Sequence, residues 1–148
     1  MLTKETRVLL LGVLALAACG TPAVMPSSDG GSASARVTGT VSYRERLALL
    51  PGVVVKVQLT DVSRADAPAV VIGQQNLKAD GAQVPLPFEI THDPAAIRPQ
   101  NTYAVRAWIE DTEGQMRFTT DQRYAVITRG APTHVDLILK GVGNAAAR

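Results

Sequence analysis

Two histidines, one cysteine and a close-set group of polar residues carry the reactive side chains of this chain, and spacing limits what each can do. His134 and Asp136 are two apart in an alternating segment, so they share a face and can pair at the surface. His92 and Asp93 are adjacent, which in an extended chain turns them to opposite sides. Both histidines are expected as solvated polar positions. Asp61, Ser63, Arg64 and Asp66 cluster in one loop. Two aspartates in one loop are partial calcium chemistry, but the regular alternation of ligands and the closing glutamate are missing. A turn bonded to itself through Asp61 and Ser63 is the expectation there. The sequence contains no Gly-x-Ser-x-Gly elbow, no second cysteine, and no His-x-x-x-His spacing. Neither a catalytic constellation nor a metal or cofactor site is predicted, and the chain reads as no enzyme.

Cys19 is the sole thiol, so no internal disulfide can form. Its position explains it. Lys4 and Arg7 precede an apolar run from Val8 to Ala18, the layout of a secretory leader. As a helix that run would extend only about 16 Å, roughly half the hydrocarbon thickness of a bilayer. It ends Leu16-Ala17-Ala18-Cys19, which resembles the bacterial lipobox; the alternative is an ordinary secretory cleavage site with an incidental cysteine. On the lipobox reading, residues 1–18 are removed and Cys19 takes a diacylglycerol thioether. Several acyl chains together hold durably, at about 0.8 kcal/mol per buried methylene. Gly20, where retention rules place an aspartate, points to the outer membrane with the domain facing the periplasm. Residues 19–35, rich in Pro, Ser, Gly and Ala, read as a flexible leash with a root-mean-square reach of about 20–25 Å.

The chain's 148 residues carry 15 basic and 13 acidic side chains. Removing Lys4, Arg7 and Glu5 with the leader keeps the balance near neutral. No basic stripe exists, and nucleic acid is excluded as a partner. Aromatic residues are 4% of the chain, so the core must be aliphatic.

From Arg36 the pattern has period two. Val37, Gly39, Val41 and Tyr43 form one row; Val53, Val55, Val57 and Leu59 form the next, after a turn at Pro51-Gly52. Ala69 to Leu77 is a third strand. Val84, Leu86, Phe88 and Ile90 make a fourth, and Tyr103, Val105, Ala107 and Ile109 a fifth. Met116 to Thr119, Tyr124 to Thr128, and Val135, Leu137 and Leu139 complete the set. One helical turn is expected after Asp93, with Pro94 at its first position and Pro99 as its stop. The fold class is all-β: a small antiparallel sandwich of seven to eight strands, immunoglobulin- or transthyretin-like, over 36–141, followed by a disordered tail at 142–148.

Pro85 and Pro87 are two apart, so both missing N–H groups fall on one side of the fourth strand. That strand belongs at a sheet edge, where the prolines guard against sheet-to-sheet aggregation. In the fifth strand, Trp108 falls on the outer face with Ala104 and Arg106. Trp and Arg are enriched at binding hot spots, so these three residues are the candidate partner surface. The alternative is that loops or a further strand cover the ring.

The stretches Val-Thr-Gly-Thr-Val-Ser-Tyr-Arg-Glu-Arg (37–46), 51–68, Gln-Val-Pro-Leu-Pro-Phe-Glu-Ile (83–90), Tyr-Ala-Val-Arg-Ala (103–107) and Arg-Phe-Thr-Thr-Asp (117–121) resemble the YbaY-like lipoproteins. The resemblance runs from Arg36 to Lys140. It is specific in combination, while no single piece is diagnostic. That family is grouped with YscW, a lipoprotein chaperone, or pilotin, for the outer-membrane secretin of type III secretion. The grouping implies a β-sandwich and a binding role, with an envelope protein such as a secretin as partner, and it carries over no catalytic residue. Three functions follow as expectations. The first is a membrane-anchored binding or chaperone module for another envelope protein. The others are a structural envelope factor without a discrete site, and a periplasmic small-ligand or glycan binder using the 61–68 loop.

Overall fold

The computed structural model describes residues 34–143. The expected leader, Cys19, nearly all of the leash and the last five residues of the tail lie outside the described residues. Eight strands follow one another: β1 (Ala35–Tyr43), β2 (Val54–Asp61), β3 (Val70–Lys78), β4 (Leu86–His92), β5 (Tyr103–Glu110), β6 (Met116–Thr120), β7 (Tyr124–Val126) and β8 (His134–Gly141). Between β4 and β5, Pro94–Ala96 forms one 3-10 turn. The Asp93 carboxylate accepts the Ala95 N–H there, although the turn ends at Ala96, short of the expected stop at Pro99.

Alternation builds the core. Val37, Val41, Val55, Val57, Leu59, Ile90, Tyr103, Val105, Ala107, Ile109, Leu137 and Leu139 are all at most 2% exposed, and each occupies the inward row of its strand. The class is all-β with eight strands in one sheet, in the order β3-β2-β5-β6-β8-β1-β4, with β7 paired to β5. The sheet curls until its ends meet, giving a nearly closed barrel whose opposite walls pack like the layers of a sandwich.

Every pairing is antiparallel except β1 with β8, which run parallel with Gly39 beside Val135. Glycine is required there. A Cβ at Gly39 would sit 1.7 Å from the Val135 carbonyl oxygen and 2.9 Å from the Phe88 ring.

The prolines act as expected. β4 ends the sheet order, and its inward residues Leu86, Phe88 and Ile90 pair toward β1. The backbone nitrogen of Glu89, and by alternation those of Pro85 and Pro87, faces β3 instead of β1. Two of these three positions have no N–H, and the Glu89 N–H is taken by Gln75 Oε1 at 2.7 Å. The ends of the sheet therefore meet through a side chain instead of a continuous ladder, and Gly73 sits close against Ile90 and Thr91. Extending the inward row two residues places His92 inside at 5% exposure, with its Nδ1 3.4 Å from the Asp93 carbonyl. The expectation of a solvated His92 is thus corrected: β4 continues one step further than the apolar pattern reveals.

Strand directions sort the loops into two ends. β1 begins at the end that carries the 62–69, 93–102 and 127–133 connections. It finishes at the end that carries 44–53, 79–85, 111–115 and the close of β8. With about 3.3 Å per residue, the two ends are roughly 25–30 Å apart.

Candidate functional site

At the far end of β1 the chain runs Arg44-Glu45-Arg46-Leu47-Ala48-Leu49-Leu50-Pro51-Gly52, a loop pinned at several points. The Tyr43 hydroxyl donates to the Leu47 carbonyl at 2.6 Å. The Gln83 side-chain amide clamps Leu49 from both sides: its Oε1 accepts the Leu49 N–H at 2.9 Å, and its Nε2 donates to the Leu49 carbonyl at 3.3 Å. Glu45 Oε1 accepts the Gly141 N–H at 3.0 Å, which holds its carboxyl below the usual range. Gly52, at φ +83°, takes the turn that brings the loop against Thr112. Only Leu49 goes inside, while Leu47 and Leu50 stay 63% and 68% exposed.

Fully burying a leucine is worth roughly 1.5–3 kcal/mol. The loop is tied at three points and still presents Leu47 and Leu50 to solvent. Beside it opens a cleft of about 430 Å³ lined by Leu47, Leu50, Val53, Ile109, Thr112 and Phe118. A second hollow continues over Phe118, Met116 and Val142. Met116 and Val142 are exposed apolar residues as well. Arg117 and Asp111 mark the rim, 4.0 Å apart. Asp111 Oδ1 also accepts the N–H groups of Glu113 and Gln115, which fixes the β5–β6 hairpin. The sequence signal for this cleft is the apolar run Leu47–Leu50, which breaks the period-two pattern.

Asp61, Ser63, Arg64 and Asp66 lie at the opposite end. Asp61 Oδ1 accepts both the N–H and the hydroxyl of Ser63, and Oδ2 accepts Asn101 Nδ2 at 2.7 Å. The Ser63 hydroxyl oxygen accepts the Thr102 N–H at 2.9 Å. These bonds, Ser63's hydroxyl first, hold the Asp61 carboxyl below its usual range. The group is the self-bonded turn expected. Arg64 and Asp66 stay exposed, and among the described residues no three His, Cys, Asp or Glu side chains come together as a metal site would require. His134 and Asp136 share a face, as read, with Nε2 and Oδ1 3.7 Å apart at the surface.

On the outer wall, Trp108 is half-buried. Its Nε1–H donates to Glu110 Oε1 at 2.7 Å, and Arg106 lies over its ring with Cζ 5.3 Å from the centroid. Lys56 pairs with the other Glu110 oxygen at 2.7 Å. Bonds from Lys56 and then Trp108 lower the Glu110 carboxyl. Ala104 shares the face and, at 6% exposure, forms the floor of a trough there.

Residues 32–139 match the family described as type III secretion system lipoprotein chaperone (YscW). The chain belongs to the YscW family. It is 36% identical over 110 residues to the uncharacterized lipoprotein YbaY of Escherichia coli K12, covering 74% of this chain and 57% of that one. The chain thus spans a little over half the length of this curated relative. Its fold is similar to an alternative pilotin from the type II secretion system of Vibrio cholerae, at 47% identity and a TM-score of 0.72, over 75% of this chain and 99% of that one. Lipoprotein relatives place this YscW-family chain in the bacterial cell envelope. No helix among the described residues is long and apolar enough to cross a membrane.

Proposed function

We propose that this protein is a non-catalytic, pilotin-like chaperone, anchored through Cys19 to the outer membrane and facing the periplasm, that binds a secretin-type envelope protein. The observation that carries this reading is the likeness to a type II pilotin over nearly the whole of that chain, at 47% identity. The loop arrangement supports it. β1 begins at the end of the domain opposite the leucine loop, about 25–30 Å from the apolar cleft, so a leash joining there leaves the cleft unobstructed. Anchoring confines chaperone and client to a thin layer and raises their effective concentration. The cleft suits an apolar face of the client, laid in as an amphipathic segment.

The test places a photocrosslinking residue at Leu50 in the full-length protein at native abundance. Mass spectrometry should identify a secretin in the crosslinked product, whereas the same residue at Arg64 should leave the secretin uncrosslinked. No secretin at Leu50, or equal capture at Arg64, overturns the assignment. Intact-mass analysis should also find Cys19 acylated and the leader gone; a free thiol there removes the anchor.

A further inference from the structure

The outer wall carries a second feature, separate from the cleft. A trough of about 510 Å³ adjoins Trp108 through Arg106, with Ala104 at its floor and Val71, Thr120, Asp121, Arg106 and Arg123 among its walls; the Asp121 carboxylate is already paired with Lys140. Cations elsewhere on this wall are already neutralised: Lys56 by Glu110, and Lys140 by Asp121. Arg106 and Arg123 are not. Both are exposed, and among the described residues neither has a carboxylate within ion-pair distance.

Arg106 is nonetheless positioned. Lys56 fixes Glu110, Glu110 holds the indole N–H, and the indole face supports the guanidinium. That cation–π contact leaves the guanidinium without a hydrogen bond or ion pair among the described residues, so its N–H fork remains to grip a carboxylate with two bonds. The polar neighbours are largely spent. The Thr60 hydroxyl donates to the Ala104 carbonyl, Thr120 Oγ1 accepts the Ala107 N–H, and the Gln58 amide donates to Gln74. Thr120 keeps its O–H and Gln58 a second N–H to donate, but the charged donors left for a ligand are the two arginines. Val70 and Val71, 61% and 49% exposed, add an apolar border.

From this charge complementarity we infer that the trough binds a protein segment in which carboxylates alternate with apolar side chains, Arg106 and Arg123 each taking a carboxylate. A lipid surface fits less well. Membrane-binding patches gather several unpaired cations, whereas here two guanidiniums stand among carboxylates already paired. The inference rests on the binding reading given above but not on the cleft.

Trp108 is the single tryptophan, so its emission reports on the site. Full-length lipidated protein in phosphatidylcholine nanodiscs is titrated with a capped peptide of alternating Glu and Leu. A saturable emission shift is expected, weakened by added salt and absent with the Gln-Leu counterpart. Arg106→Gln should weaken it about tenfold. Arg123→Gln leaves the Trp108 stack intact and should weaken it as well, without altering the starting spectrum. A silent Glu-Leu titration overturns the inference. So does an equal response to the Gln-Leu peptide, an undiminished response in both variants, or a shift produced by inorganic phosphate or by phosphatidylglycerol discs without peptide. Secretin capture at Leu50 with a silent trough removes only this inference; failure of both removes the binding reading.

Discussion

Tyr43 stacks on Phe118 with ring centroids 4.5 Å apart and planes 16° from parallel. The pair joins the end of β1 to β6 and sets the height of Phe118 in the cleft. The hydroxyl of the same tyrosine ties down Leu47. One side chain thus supports the apolar floor through its ring and the leucine loop through its oxygen.

Tyr43→Phe separates these roles. The stack survives and the bond to Leu47 is lost, at a cost of about 1 kcal/mol. Amide hydrogen exchange should rise across 44–50 and stay unchanged in β5. Burial, and then the nearby Glu45 charge, raise the Tyr43 pKa above the phenol's usual value. The neutral donor therefore persists into alkaline solution, and its contribution is lost only as pH rises through that raised value.

Leu50→Asp tests whether the exposed leucines serve the fold. Leu50 is 68% exposed, so the change should move the urea unfolding free energy by no more than about 0.5 kcal/mol. Capture of the secretin from neighbouring crosslinker positions should nevertheless fall sharply. A large loss of stability would show that the loop belongs to the core.

How far the sequence discloses this architecture depends on the range of each interaction. The inward rows of β1, β2, β4 and β5 are legible because alternation is local, and Pro85 and Pro87 announce the sheet edge by chemistry alone. Asp61 and Ser63 are equally legible, since an Asx-type turn involves residues two apart. The parallel pairing of β1 with β8 is not: Gly39 and Val135 lie at opposite ends of the sequence, and no turn connects their strands. Curling the sheet onto itself likewise depends on Gln75 reaching Glu89 across the ends. The role of the Leu47–Leu50 run is not legible, because an apolar run at a strand end resembles core until Gln83 and Tyr43 are seen pinning its backbone. Alternation gives the face of Ala104 but cannot show that longer side chains wall it in.

Gly39→Ala should be among the most damaging single-methyl additions in the protein. The added carbon overlaps the Val135 carbonyl at 1.7 Å, so β1 and β8 must separate. A loss of about 3 kcal/mol or more is expected, and with it a fall in Tm of roughly 10 °C or more. Calorimetry measures this directly, and an unchanged Tm would contradict the tight parallel pairing.

Calcium should leave the Tm unmoved at millimolar concentration, because both Asp61 oxygens already accept hydrogen bonds inside the turn. Asp61→Ala should instead lower stability by about 1 kcal/mol, reduced from the usual value for a charged acceptor by the loop's exposure to solvent. Differential scanning fluorimetry with and without chelator separates the two outcomes.

Acid should loosen the outer wall. Glu110 is lowered by its bonds from Lys56 and Trp108, and Asp121 by the bond from Lys140, relative to ordinary values of 4.5 and 3.8. For a carboxyl whose folded pKa is depressed, the unfolded chain takes up the proton first. Stability from these pairs is therefore complete above the ordinary values and drains away as pH falls through the lower folded ones. Urea midpoints should hold steady down to about pH 5 and decline below it. Glu110→Gln should flatten part of that decline. Because protonated Glu110 holds the indole N–H less strongly, Trp108 emission should shift over the same acid range in the native chain and lose that shift in the variant.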